Sequence, residues 1–130
     1  MSTVKRRRDQ PRRRSAPQAD HFDWWTTFAN PLLMLRSGGV CEVGGCDLNQ
    51  TGIERHHRIR RRDGGDRLSN LLALCPTHHH YVTDHPAEAY ANGWSIRALD
   101  DTDPETVPVR LAPTGHLWTL GDNGTKRLCW

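Results

Sequence analysis

The 130-residue sequence predicts a small α+β protein with an N-terminal helix and a small C-terminal antiparallel β meander. Three observations support this prediction. Apolar residues recur at helical spacing after residue 20, short alternating segments separated by turn sequences fill the last third, and two close pairs of metal-binding residue types flank the middle. No run approaches the roughly 18 apolar residues that a membrane span needs, so we expect no membrane association.

The first twenty residues predict a disordered basic tail. Seven Lys and Arg residues among the first fourteen positions are opposed only by Asp9. Such a segment buries too little apolar surface to offset the entropy lost on ordering. We expect it to contact nucleic acid, because clustered cations release counterions from phosphate backbones; a solubilising tail is the alternative. The N-terminus has no apolar stretch of the secretory kind, which favours a cytoplasmic location.

Residues 21–39 predict the N-terminal helix, with Pro31 starting or kinking a turn and a glycine pair ending it. Its apolar residues near helical spacing are Trp24, Trp25, Phe28, Leu32 and Leu35. CEVGGC, residues 41–46, predicts two strand ends around a glycine turn. IERHHRIR, residues 53–60, predicts a short strand that carries two histidines into a loop, and the loop turns back at Gly64 and Gly65.

The second half of the chain predicts two helices and a meander. The apolar run at residues 68–75 ends at Pro76, so a helix should begin near Thr77 and end before Pro86. A second helix, PAEAYA, should end at Asn92 and Gly93. Four short strands are expected after it, at WSIRAL, VPVRL, HLWTL and TKRLCW.

Two close pairs of residues predict a structural zinc site. Four residues separate Cys41 from Cys46, and after a 28-residue interval Cys75 is followed three positions later by His78. A tetrahedral zinc ion binds four such ligands, so the segment between the two pairs must be long enough to bring the second pair back to the first. His80 is the alternative to His78, and buried core cysteines are the alternative to a metal site. Disulfides are not expected in a reducing compartment, which leaves Cys129 as a free thiol.

The interval between these pairs contains ERHHRIRRRDGG, followed by LSNLLALC and CPTHH. His57, Asn70 and His79 within these segments resemble the HNH endonuclease family, of the phage type with a structural zinc. The resemblance extends from about Val40 to Pro86 and implies a ββα-metal (His-Me) finger as the core of the α+β fold. Together with the composition and the strand pattern, this predicts a tail, 1–20, a nuclease domain, 21–98, and a β extension packed on the same domain, 99–130.

The resemblance also implies a role for each matching residue. His57 matches the general base, and Asn70 matches the residue that fastens the loop and positions that base. His56 and His79 match the ligands of a catalytic divalent cation, which is Mg²⁺, Mn²⁺, Ni²⁺ or Zn²⁺; an imidazole pair favours the last three. We expect the three imidazoles to converge on one cation. His85 is a third ligand, a phosphate contact or only a helix-terminal residue.

The chemistry of phosphodiester hydrolysis agrees with these roles. Negative charge develops on the phosphate and on the departing oxygen, and a divalent cation stabilises it. A neutral imidazole suits proton abstraction near pH 7, and neighbouring cations disfavour its protonation. The arginines of the motif are therefore expected to contact the DNA backbone, although solvated loop charges are an equal alternative: Arg58, Arg60, Arg61 and Arg62.

These observations together predict a metal-dependent HNH DNA endonuclease that leaves 5′-phosphate and 3′-hydroxyl ends. The resemblance implies a phage or prophage enzyme in a bacterial host cell, linked to DNA processing or packaging. Its expected partners are DNA and phage terminase or packaging proteins. A zinc-stapled nucleic-acid-binding module without catalysis is the main alternative, and a secreted nuclease toxin domain is the second.

Overall fold

The computed structural model describes residues 23–99 and 102–129 and confirms a mixture of helices and small antiparallel sheets. A π-helical segment, Trp24–Ala29, comes first, and two 3-10 turns lie at Leu68–Asn70 and Pro104–Thr106. The remaining elements are α1 (Asn30–Ser37), α2 (Leu48–Thr51), β1 (Glu54–His57), α3 (Arg61–Gly64), β2 (Leu71–Leu74), α4 (Pro76–Asp84), α5 (Pro86–Ala91), β3 (Val109–Leu111), β4 (His116–Leu120) and β5 (Lys126–Leu128).

The predicted basic tail, residues 1–20, lies outside the described residues. Within the described part of the chain, every helix is too short or too polar to cross a membrane.

The N-terminal helical region is confirmed, and it consists of two kinds of helix. The side chain of Asp23 accepts a hydrogen bond from the backbone N–H of Thr26 at 3.3 Å and caps the π-helical segment. Pro31 lies in the first turn of α1, directly after the π-helical segment. Gly38, with φ of 70°, ends α1 in the left-handed conformation that glycine adopts most easily.

β1 and β2 form an antiparallel pair in which Glu54 lies opposite Leu74 and His57 lies opposite Leu71. All four residues of β2 are buried, because α1 contacts this strand and α4 contacts both strands. A strand covered on both faces requires apolar residues at every position, which explains why LLAL does not alternate. α4 then begins at Pro76, so β1, β2 and α4 follow one another in the chain.

A buried ion pair joins α1 to the CEVGGC turn. Arg36 Nη2 lies 2.7 Å from Glu42 Oε1, and Arg36 Nε lies 3.0 Å from Oε2. The same guanidinium donates to the carbonyls of Leu68 and Leu71, while Glu42 accepts from the N–H of Ala73. Buried charges are tolerated only when they are paired and hydrogen-bonded in this way. The network fixes the turn, with its two cysteines, against β2.

The C-terminal meander has three strands, with β4 paired to both β3 and β5. The first of the four predicted strands, WSIRAL, is wrong, because residues 94–99 have no strand structure. Their backbone N–H groups bond to unrelated partners: Ser95 donates to the carbonyl of Ala89 at 3.1 Å, and Ile96 donates to that of Arg58 at 2.8 Å. The segment therefore covers Arg58 and makes no strand ladder.

The meander and the β1–β2 region share one hydrophobic core. Its buried members from the meander are Val109, Leu111 and Leu120, and they belong to the same cluster as the residues of β2. Trp94 closes this cluster and donates its indole N–H to the carbonyl of Arg110 at 2.7 Å. The core therefore holds the irregular segment after α5 close to β1.

Candidate functional site

β1 displays its four side chains on two faces, because neighbouring residues of a strand point to opposite sides. Glu54 and His56 share one face, and Arg55 and His57 share the other. The two adjacent histidines of the sequence motif therefore have different surroundings.

The first face of β1 meets α4. The rings of His56 and His79 lie 5.5 Å apart between centroids, at an interplanar angle of 69°. His56 Nε2 lies 2.8 Å from the carbonyl oxygen of Trp94, and His79 Nδ1 lies 2.8 Å from Glu54 Oε1. A surface cavity of about 240 Å³ opens beside Glu54 and His79. The structure thus brings together the two histidines expected to hold the catalytic cation, and it adds a carboxylate.

His57 leaves β1 on the second face, so the three imidazoles do not all point to one place. Its Nε2 lies 2.8 Å from Asp66 Oδ1, and Arg61 Nε lies 3.1 Å from the same carboxylate oxygen. The indole of Trp25 is edge-on to the His57 ring, with 6.2 Å between centroids. Arg55 lies over that indole at 4.2 Å, which gives His57 an aromatic and cationic surrounding.

Hydrogen bonding determines the charge of Asp66. Desolvation raises the pKa of this carboxyl, but hydrogen bonds from His57 and Arg61 outweigh desolvation, and the pKa is lowered overall. Asp66 is therefore ionised at neutral pH. An ionised carboxylate only accepts hydrogen bonds, so the His57 nitrogen that faces it carries a hydrogen.

The same reasoning gives the tautomers of the three imidazoles. Carbonyl and carboxylate oxygens accept hydrogen bonds, so the hydrogen of the neutral ring lies on Nε2 in His56 and His57 and on Nδ1 in His79. The second nitrogen of each ring keeps its lone pair. Such a nitrogen can bind a cation or accept a proton.

His56 is held in its neutral form. Burial is the main reason that its pKa is lowered to about 4, and the hydrogen bond to Trp94 opposes this effect. Repulsion from His79, His57 and Arg58 lowers the pKa further. At neutral pH the free nitrogen of His56 is therefore unprotonated, as a metal ligand must be.

Asn70 is fully buried and fastens the loop that follows β1. Its Oδ1 accepts from the N–H of Ile59 at 2.8 Å, and its Nδ2 donates to the carbonyls of Ile59 at 2.9 Å and Gly65 at 3.0 Å. Gly64 packs against the amide so closely that an added Cβ would lie 2.7 Å from Nδ2. Asn70 thereby sets the path of the loop that carries Asp66.

Arg58 was predicted to contact the DNA backbone, and this prediction is wrong because its side chain is buried. The residue is 2% exposed, and burial lowers its pKa to about 9, which leaves the guanidinium protonated at neutral pH. The charge is accommodated because the side chain bonds four backbone carbonyls, those of Gly93, Ser69, Pro104 and Val107. Arg58 therefore fixes the segment after α5 and the 3-10 turns beside β1.

The other three arginines of the motif, Arg60, Arg61 and Arg62, are exposed. Arg60 pairs with Asp63 at 3.1 Å, and Arg61 pairs with Asp66. Exposed ion pairs contribute only about 0–1 kcal/mol, so these guanidinium groups can exchange a carboxylate for a phosphate at little cost. They lie in the loop and first turn after the end of β1, and Arg61 is near His57 because both side chains contact the same Asp66 oxygen.

A second cluster brings together the cysteine pairs. Donor atoms of Cys41, Cys75 and His78 all lie within 4.8 Å of one another, close enough to hold a metal ion. His78 Nδ1 lies 3.1 Å from Cys75 Sγ and 3.5 Å from Cys46 Sγ. Zinc–sulfur and zinc–nitrogen bonds of about 2.3 and 2.0 Å at a tetrahedral angle separate the two ligand atoms by roughly 3.5 Å. Cys46 lies beside the group as its fourth candidate donor.

Two backbone N–H groups donate hydrogen bonds to cysteine sulfur atoms of this cluster. The backbone N–H of Gly44 donates to Cys41 Sγ, and that of His78 donates to Cys75 Sγ, both at 3.4 Å. Hydrogen bonds to a thiolate stabilise its charged form. The His78 ring lies against the turn so closely that a Cβ on Gly44 would approach its Cε1 to 2.0 Å. The glycine is therefore required for the close approach of the turn to α4.

The neighbouring histidines of α4 have other contacts. His80 Nε2 lies 2.8 Å from Asp84 on the exposed side of the helix, so His78 and not His80 belongs to the cysteine cluster. His85 stacks on Tyr81, with 4.0 Å between ring centroids, and its Nδ1 donates to the carbonyl of Tyr81.

The sequence reasoning missed two carboxylates of the site, Glu54 and Asp66. Glu54 could have been found, because it lies two residues before His56 and must share its face of the strand. Asp66 had no comparable signal, since its contact with His57 depends on the path of the loop.

Comparison with family models, with curated proteins and with solved structures found no match to this chain.

Proposed function

We propose that this protein is a metal-dependent DNA endonuclease of the HNH type, in which β1, β2 and α4 form a ββα-metal finger beside a structural zinc site. One observation supports the proposal most strongly. His56 and His79 come from a strand and a helix and lie 5.5 Å apart, while His57, at the end of the same strand, has a carboxylate partner. Each ring has one nitrogen free for a cation or a proton.

The donor set of the first face fits a divalent cation. His56 Nδ1 and His79 Nε2 are the nitrogens that would hold it, and His56 is neutral at pH 7 because burial lowers its pKa. Imidazole nitrogens favour Mn²⁺, Ni²⁺ or Zn²⁺ over Mg²⁺. When bound, the cation supplies positive charge against the charge that develops on the phosphate and the departing oxygen.

His57 has the arrangement of a general base. Its free Nδ1 accepts a proton from the attacking water, and Asp66 holds the opposite nitrogen and stabilises the imidazolium that forms. His57 ends β1 directly after His56, and neighbouring Cα atoms are about 3.8 Å apart. A phosphodiester that lies across the end of β1 can therefore reach both faces of the strand.

The surroundings of His57 suit a DNA backbone. Arg60, Arg61 and Arg62 are exposed in the segment that follows β1, and the ion pairs of the first two are weak. We assign them to phosphate contacts, which position the nucleic acid without reading its sequence. Asn70 fastens the loop that carries these arginines and Asp66.

We assign structural zinc to Cys41, Cys46, Cys75 and His78. Thiolate and imidazole ligands at these spacings suit zinc, and three of the four lie in a mutually close group. Bound zinc contributes on the order of 10 kcal/mol to the folding of small modules, which rivals the whole net stability of a domain. The ion would secure the CEVGGC turn to the start of α4 and so support the β1–α4 face.

The biological setting follows from the resemblance of the motif to phage HNH enzymes. We propose a phage or prophage nuclease that acts in DNA processing or packaging, with terminase or packaging proteins as its partners.

The test is cleavage of supercoiled plasmid by the zinc-loaded protein with Mn²⁺, Ni²⁺ or Mg²⁺. His57→Ala should lower the rate by about 10²–10⁴-fold, the usual contribution of a general base. His116→Ala is the matched control, because His116 is an exposed histidine on β4 outside the site. Equal cleavage by wild type and His57→Ala would contradict catalysis at this site. DNA binding without any cleavage would favour the zinc-stapled binding module.

A further inference from the structure

Among the contacts of the proposed cation site, one joins a charged side chain directly to a ligand ring. Glu54 Oε1 accepts a hydrogen bond from His79 Nδ1 at 2.8 Å, and 25 residues separate the two positions in sequence. Glu54 begins β1 and His79 lies in the first turns of α4. The contact therefore bridges the strand and the helix that carry the two imidazole ligands.

We propose that Glu54 is the positioning carboxylate of His79, which fixes the ring so that its Nε2 faces the cation. This inference rests on the proposed function. An isolated imidazole on a helix surface can rotate and can carry its hydrogen on either nitrogen. A carboxylate on Nδ1–H removes both freedoms and raises the basicity of Nε2, an arrangement that recurs behind metal-binding histidines.

The surroundings of the two ligand rings explain why His79 needs such a partner. His56 is mostly buried, and the carbonyl of Trp94 holds its Nε2. The His79 side chain is more accessible, at 32% relative exposure, and it borders the 240 Å³ cavity together with Glu54. Burial and a backbone carbonyl therefore orient His56, whereas the more accessible His79 depends on its hydrogen bond to Glu54.

Charge gives Glu54 a second effect on the same site. The two imidazoles are neutral ligands, so Glu54 supplies the negative charge nearest to His79. A negative charge directly behind a ligand ring increases the attraction for a divalent cation. Glu54 is half exposed, at 47%, so its replacement should leave the hydrophobic core unchanged.

The chain contains a matched control for this contact. His80 Nε2 lies 2.8 Å from Asp84 Oδ2, which is the same type of pair at the same distance. That pair lies within α4 on its exposed side, with relative exposures of 79% and 52%. Asp84→Ala therefore removes a carboxylate from a histidine of the same helix without touching His79.

The experiment measures Mn²⁺ binding to zinc-loaded protein by calorimetry, for wild type, Glu54→Ala, Glu54→Gln and Asp84→Ala. We expect Glu54→Ala to weaken binding by about 10–100-fold, the usual effect of removing such a partner. Glu54→Gln should lie between it and wild type, because an amide oxygen still accepts the Nδ1–H but has no charge. Asp84→Ala should bind as wild type does.

Long-range ¹H–¹⁵N NMR spectra of the metal-free site give an independent readout of the ring. We expect the Nδ1–H tautomer of His79 in wild type and in Glu54→Gln, and a mixture of tautomers in Glu54→Ala. Wild-type Mn²⁺ affinity in Glu54→Ala, with an unchanged His79 tautomer, would overturn the inference while plasmid cleavage by wild type still supports the nuclease. Tight Mn²⁺ binding that depends on Glu54, without cleavage by wild type, would overturn the nuclease alone.

Discussion

At the scale of single residues, the lowered pKa of His56 makes stability depend on pH. Burial lowers this pKa from 6.5 to about 4. As pH falls from about 6.5 to about 4, the unfolded chain takes up a proton that the folded chain does not, so the free energy of unfolding falls. The slope for one such proton is about 1.4 kcal/mol per pH unit.

We expect His56→Gln to remove this contribution. Urea unfolding of the zinc-loaded proteins at a series of pH values should show a steeper loss of stability in wild type than in the variant between about pH 6.5 and 4. Other titrating groups act on both proteins and cancel in the difference. Parallel curves for the two proteins would show that His56 titrates normally in the folded state.

Asn70 carries a second prediction at this scale. Asn70→Ala removes the partner of the buried Ile59 N–H and two further hydrogen bonds to the loop. A buried polar group left unpaired costs about 1–3 kcal/mol, so we expect the urea midpoint to fall correspondingly. Asn49→Ala, at an exposed position of α2, is the control. A variant as stable as that control would mean that water replaces the missing hydrogen bonds.

At the scale of elements, the CEVGGC turn depends on the absence of a side chain at Gly44. A Cβ there would lie 2.0 Å from His78 Cε1, so Gly44→Ala must displace the ring or the turn. We expect zinc affinity, measured by competition with a chelator, to fall roughly tenfold to a hundredfold. Gly121→Ala, which meets only side-chain atoms of Asn123 and Thr125 in another turn, should bind zinc normally. Equal zinc affinity in both variants would exclude His78 as a ligand.

The elements also show which parts of the structure can be predicted from the sequence alone. Local signals predicted a short strand within residues 53–60, of which Glu54–His57 form β1, as well as the start of α4 near Pro76 and the cysteine pairs, because each depends on spacing within a short segment. WSIRAL alternates like a strand, yet its amides bond to α5 and to Arg58, a preference that only the tertiary structure reveals. Arg58 was likewise predicted to be a surface cation, because its buried carbonyl partners are evident only in the tertiary structure. The contacts of Glu54 and Asp66 join segments whose approach no local pattern specifies.

At the scale of the whole molecule, the basic N-terminal segment gives a prediction that does not depend on the site. Deletion of residues 1–19 should weaken DNA binding and flatten its salt dependence, because fewer phosphates are then neutralised by the protein. The slope of log affinity against log salt should change by about 0.9 for each such phosphate. Fluorescence anisotropy on a labelled duplex at several salt concentrations measures this slope. An unchanged slope would show that the segment makes no phosphate contacts.

The central claim for the whole molecule is that a cation held by His56 and His79 enables cleavage of DNA. The most direct measurement is the rate of plasmid cleavage as a function of Mn²⁺ concentration, for zinc-loaded wild type and His79→Ala. We expect a saturable, Mn²⁺-dependent rate in wild type that is abolished in the variant over the same range. The same Mn²⁺ dependence in both proteins would contradict the claim.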